Sequence, residues 1–69
     1  MDVLILGQTI ADRRKSLGIT QAQLSNLTNV GINTITKLER GTANPTLQIV
    51  IKIADVLGME LKLEVRQKH

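Results

Sequence analysis

The chain contains no cysteine, no phenylalanine, no tyrosine and no tryptophan, and it has one proline and one histidine. Without cysteine there is neither a disulfide framework nor a thiolate metal site. The single histidine, His69, is the last residue and has no sequence neighbour that would make it a base or a metal ligand. The six acidic residues are scattered without an obvious pair, so general acid–base and metal-assisted chemistry lack their usual side chains. A non-enzymatic protein without a cofactor is expected. The absence of aromatic rings removes the stacking platforms on which readers of single-stranded nucleic acid and RNA depend. No apolar run approaches the roughly 20 residues of a membrane span, and the stretch from Met1 to Leu6 is too short for a secretory signal and carries Asp2 where positive charge is required. A cytoplasmic location is expected.

What is present describes one small domain. A chain of 69 residues lies near the lower limit at which a single apolar core holds a fold unaided. With disulfides and metals excluded, self-association is the remaining source of help. Apolar residues make up 42% and charged residues 22%, a globular balance rather than a disordered one. The core must be built from Leu, Ile and Val, which suits short, closely packed helices. The net charge of +3 and a pI near 9.8 favour a polyanionic partner.

The pattern along the chain predicts four short helices. Leu6, Ile10 and Leu17 recur at helical spacing over residues 4 to 17, with Arg13, Arg14 and Lys15 suited to the C-terminal dipole and Gly18 as the stop. Thr20 is placed to cap a second helix that starts at Gln21, buries Leu24 and ends near Thr28 and Asn29. After glycine, asparagine best tolerates the positive φ that a tight link between helices requires. Val30 resumes the apolar pattern, Gly31 takes a cap position, and Ile35 with Leu38 marks the buried side of a third helix closing at Arg40 and Gly41. Beyond the turn at residues 41 to 45, Thr46 caps a fourth helix from Leu47 to Leu57, ended by Gly58.

The fourth helix is more apolar than one core needs. At 100° per residue its apolar side chains cover an arc of about 220°, against the roughly 100° stripe of a surface helix. The surplus around Ile49 and Val56 points to a second burial partner. After Gly58 the period changes to two, with Leu61, Leu63 and Val65 alternating with Lys62, Glu64 and Arg66, the pattern of a half-buried strand. Residues 3 to 6 are the only other β-prone run and lack alternation. A strand without a mate leaves its amides unpaired, and antiparallel pairing with the same strand of a second copy would give an isologous homodimer. The expected organisation is a helical domain over residues 1–58 and a dimerising strand and tail over residues 59–69.

Two short helices joined by about four residues inside a basic four-helix domain form the helix-turn-helix arrangement. The residues Leu6-Gly7, Arg14, Leu17-Gly18-Ile19-Thr20-Gln21, Leu24, Val30, Thr34-Ile35, Lys37-Leu38-Glu39-Arg40-Gly41, Asn44-Pro45-Thr46-Leu47, Ile53-Ala54 and Leu57-Gly58 resemble the Xre/Cro/phage-repressor family over residues 4 to 58. The segment from Gly58 to Leu63 further resembles HipB-like antitoxins. Against the family pattern, Ser25 replaces Ala, Thr28 an apolar residue, Asn29 Gly and Gly31 Ser; the first three add polar atoms to the turn, and Gly31 forgoes a capping oxygen.

The resemblance implies an all-α, lambda-repressor-like four-helix domain whose third helix enters the major groove of double-stranded DNA while the second crosses the phosphate backbone. On that basis Ile32, Asn33, Thr36 and Lys37, opposite Ile35 and Leu38, are the base-reading candidates. Asn33 suits adenine, Lys37 guanine, Ile32 a thymine methyl, and Thr36 either a base or a phosphate. Gln21, Thr34 and Arg40 are the phosphate candidates, Gln21 with help from the free amides of its helix N-terminus. Taken alone, such residues are the ordinary solvated side of any helix; the surrounding motif is what favours readout. Arg14 and Glu39 match a pair that bridges helices one and three in phage-repressor relatives, with a solvated Glu39 and a merely dipole-satisfying Arg14 as the alternative. The homodimer would use Ile49, Val56, Leu61, Leu63 and Val65. The functional expectation is a transcriptional repressor on a pseudo-palindromic operator. The rival is an antitoxin that neutralises a HipA-like toxin and represses its own operon.

Overall fold

The computed structural model describes residues 2–66, and His69 therefore lies outside the described residues. Four α-helices follow in order: α1 Val3–Ser16, α2 Gln21–Thr28, α3 Ile32–Arg40 and α4 Leu47–Val56. The helix starts are decided by local chemistry. Asp2 Oδ1 accepts from the Leu4 amide at 2.8 Å, which draws the β-prone residues 3 to 6 into the first turn of α1. Thr20 Oγ1 accepts from the Gln23 amide at 3.0 Å while Gln23 Oε1 accepts from the Thr20 amide at 2.9 Å, satisfying two otherwise orphaned donors reciprocally. Thr46 caps α4 in the same sense through the Ile49 amide. No side chain caps α3, which begins after Gly31.

The link between α2 and α3 turns on Asn29, the one positive-φ residue other than glycine among those described, at φ 60°. Its neighbours absorb the polar atoms that set this turn apart from the family pattern. Ser25 Oγ donates to the Val30 carbonyl at 2.6 Å, and Thr28 Oγ1 donates to the Leu24 carbonyl at 2.7 Å while accepting from the Val30 amide at 3.2 Å. A buried hydroxyl so satisfied carries no desolvation penalty of the kind an orphan would, and no described side chain buries an unpaired polar atom.

The core is a single cluster of Ile10, Leu24, Val30, Ile35, Leu38, Ile53 and Leu57. α1 packs on α3, and α2 packs on both α3 and α4, so α3 rests against two helices along its Ile35 and Leu38 side. Gly7 is buried where α1 meets α3, with the Leu38 and Glu39 backbone directly over its Cα. Arg13 Nε donates to the Leu57 carbonyl at 2.9 Å, so this cation serves the C-terminal end of α4 rather than that of its own helix. None of the helices is long and apolar enough to cross a membrane.

Two expectations are corrected. Leu17 is 44% exposed because α1 stops at Ser16 and the chain turns before Leu17 completes the apolar stripe. Ile49 and Val56 are partly buried and pack against the chain's own core, so they are not the surplus face. The apolar residues that α4 leaves exposed are Leu47 and Ile51, because α2 reaches around the other side of the helix. Residues 59–66 form neither helix nor strand. Leu63 and Val65 are 89% and 94% exposed, and Leu61 is half-buried. A single strand has no partner for its amides within this chain, so alternation alone does not order it.

Candidate nucleic-acid interface

Helical geometry decides which α3 side chains share a face. At 100° per residue, Ile32, Thr36, Arg40, Asn33 and Lys37 fall in that order within an arc of about 140°, opposite Ile35 and Leu38. Asn33, Lys37 and Arg40 are exposed and Ile32 is 45% exposed. The ridge is therefore open on its own subunit. Thr34 is half-buried on the far flank, away from Arg40, which instead shares the ridge with the base-reading candidates.

Beneath the ridge lies a polar chain joining three helices. Arg14 of α1 donates from Nε to Glu39 Oε2 at 2.7 Å and from Nη2 to Glu39 Oε1 at 2.9 Å, a two-pronged ion pair. Its third hydrogen bond runs from Nη1 to the Ile19 carbonyl at 2.8 Å, holding the turn before α2. The two side chains are only 10% and 7% exposed. Glu39 Oε1 also accepts from Gln21 Nε2 at 3.0 Å, and Gln21 Oε1 accepts from Thr36 Oγ1 at 3.0 Å. Burial opposes ionisation of the Glu39 carboxyl, but the hydrogen bonds from Arg14 and Gln21, together with the nearby positive charge, outweigh it and hold the group below the usual carboxylate range. The bond to Glu39 in turn raises the Arg14 guanidinium above its ordinary value despite burial.

The expected support pair, Arg14 with Glu39, is thus brought together as the resemblance implied. The continuation through Gln21 to Thr36 is new. The family resemblance implies outward roles for both, yet each is half-buried and spends part of its hydrogen-bonding capacity inward. The signal available in sequence is the i, i+3 relation of Thr36 and Glu39, which puts them on neighbouring positions of α3, but nothing local places Gln21 between them.

The arrangement is one of presentation: a short helix with an open polar and apolar ridge, held in azimuth by a buried ion pair to α1 and by α2 across the three-residue link of Asn29, Val30 and Gly31. A family model described as helix-turn-helix matches residues 10–63. The chain is 41% identical over 51 residues to an uncharacterized HTH-type transcriptional regulator of Methanothermobacter thermautotrophicus, covering 74% of each chain. It is 32% identical over 54 residues to the cryptic phage CTXphi transcriptional repressor RstR of Vibrio cholerae, covering 78% of this chain and 48% of that one. It is also 38% identical over 50 residues to an uncharacterized HTH-type transcriptional regulator of Haemophilus influenzae, covering 72% and 51%. The chain thus spans about half the length of the last two relatives. On the matched span, the four helices and the α2–turn–α3 geometry, this chain belongs to the Cro/C1-type helix-turn-helix family.

Proposed function

We propose that the chain is a sequence-specific double-stranded DNA-binding transcriptional repressor acting as a homodimer, with α3 as the reading helix. The observation that carries this reading is the open α3 ridge, which offers a thymine-methyl contact in Ile32, an adenine-type amide in Asn33 and cations in Lys37 and Arg40. Membership of a family that binds double-stranded DNA supports it, as does the repressor named among the relatives. Gln21 keeps one amide hydrogen free for a phosphate after bonding Glu39. Arg40 and Thr34 are the further phosphate contacts.

Selection of duplexes from random DNA tests the reading. Lys37→Ala is expected to relax preference at one base pair, costing about 1–3 kcal/mol against the parent site. Arg40→Ala is expected to weaken binding to all sequences and to reduce the salt slope by about one. A parent protein that enriches no site, or binds with no dependence on ionic strength, would overturn the proposal.

The homodimer rests on the apolar surface left uncovered. A groove of about 470 Å³ is lined by Val3, Leu6, Leu47, Val50, Leu61 and Leu63 among others, and Leu4, Leu47, Leu63 and Val65 are each more than 60% exposed. Pairing of residues 61–65 across a two-fold axis would bury these side chains, supply the missing strand partner and set two α3 ridges for half-sites roughly 34 Å apart. Leu63→Glu is expected to leave the monomer fold intact, since the side chain touches little in one chain, and to convert the dimer to monomer in sedimentation equilibrium. An unchanged mass for the variant, or a monomeric parent, would count against strand pairing.

A further inference from the structure

A count of protons along the chain from Arg14 to Thr36 determines what Thr36 can offer to an outside partner. Glu39 is ionised and clasped by Arg14, so its Oε1 only accepts hydrogen bonds. The Gln21 atom 3.0 Å from it must then be the amide nitrogen, because the amide oxygen there would set two acceptors against each other. That choice turns Gln21 Oε1, again only an acceptor, toward Thr36 Oγ1 at 3.0 Å. A threonine hydroxyl has one hydrogen, and it is spent on Gln21. What remains on Oγ1 is lone pairs.

We infer that Thr36 meets DNA as a hydrogen-bond acceptor only, selecting adenine or cytosine on the strand it faces and taking no part in holding phosphate. In the major groove the donors are adenine N6 and cytosine N4, whereas guanine presents O6 and N7 and thymine presents O4, all acceptors. Phosphate oxygens accept as well, so they are refused on the same ground. Glu39 is then a positioning residue for specificity: it never reaches the DNA, yet by orienting one amide it sets the polarity of a hydroxyl on the reading ridge. The inference rests on the DNA-binding reading proposed above.

Site selection with the parent, Thr36→Val, Thr36→Ser and Lys37→Ala tests it, followed by methylphosphonate scanning of the selected duplex. Valine keeps the shape of threonine and puts a methyl group where the hydroxyl was, so it can neither donate nor accept a hydrogen bond there. At one base pair per half-site the parent is expected to prefer adenine or cytosine on one strand by roughly three- to tenfold. Thr36→Val should lose that preference, Thr36→Ser should keep it, and the phosphate-sensitivity profile of Thr36→Val should match the parent's. A preference for guanine or thymine at the pair that Thr36→Val relaxes overturns the inference. So does a phosphate whose neutralisation matters to the parent and not to Thr36→Val. If Lys37→Ala relaxes a position and Thr36→Val relaxes none, the inference alone fails; if the parent selects no site, the DNA-binding reading fails and takes the inference with it.

Discussion

Arg14→Ala is expected to destabilise the domain by about 3–5 kcal/mol, the typical cost of removing one partner from a buried ion pair. The remaining carboxylate of Glu39 would keep only the Gln21 amide as a donor, and the Ile19 carbonyl would lose the guanidinium. Set against a total stability of about 0.05–0.15 kcal/mol per residue, such a loss leaves much of the population unfolded. Urea denaturation at fixed protein concentration measures it, concentration being held because self-association contributes to stability. The effect has a pH signature. In the parent, Glu39 has a folded-state pKa below its unfolded value, so its contribution is present above the unfolded value and is lost as pH falls through the folded one. Once Arg14 is gone, burial dominates and raises the carboxyl pKa, so the variant loses stability as pH rises through that raised value. The gap between parent and variant should therefore narrow as pH falls, first through the variant's raised value and then through the parent's lowered one. A gap that is constant from acid to neutral pH would mean that the pair contributes packing and not charge.

Gly7→Ala is expected to cost about 1–3 kcal/mol or more, even though alanine is the better helix former by about 1 kcal/mol. A Cβ at this position would run into the Leu38 carbonyl and the adjoining Glu39 backbone, and a backbone atom has no rotamer by which to withdraw. α1 would have to back away from α3, loosening the Arg14–Glu39 contact and with it the azimuth of the ridge. Gly18→Ala is the control: nothing lies within 4 Å of its Cβ position, and only its φ of +71° opposes a side chain, which costs roughly 1 kcal/mol. If Gly7→Ala raises the melting temperature, the close approach of α1 and α3 is not as described.

The local devices were legible residue by residue. Thr20 and Thr46 signal helix starts because a side-chain oxygen can reach only its own next turn, and Asn29 signals a left-handed link because few residues tolerate that φ. The buried side of α3 followed from the spacing of Ile35 and Leu38, and its open side from what was left over. The pairing of Arg14 with Glu39 came from family resemblance, since no local rule connects residues so far apart in sequence. Ile49 and Val56 were misplaced because an apolar arc shows how much of a helix is buried, not by which neighbour. For residues 61–65 the alternation is visible in sequence, but one chain provides no edge on which it can form a ladder.

By itself, then, the order of residues determined four helices, the threonine caps of the second and fourth, the turn between the second and third, and a ridge of DNA-compatible side chains, because each depends on interactions within a turn or two of chain. Only the packed molecule decided that Gly7 is a contact point, that Arg13 serves the end of α4, and that Gln21 and Thr36 are joined to Glu39. Those outcomes depend on where one helix lies against another, and that relation is set by the shared filling of a core rather than by any stretch of sequence.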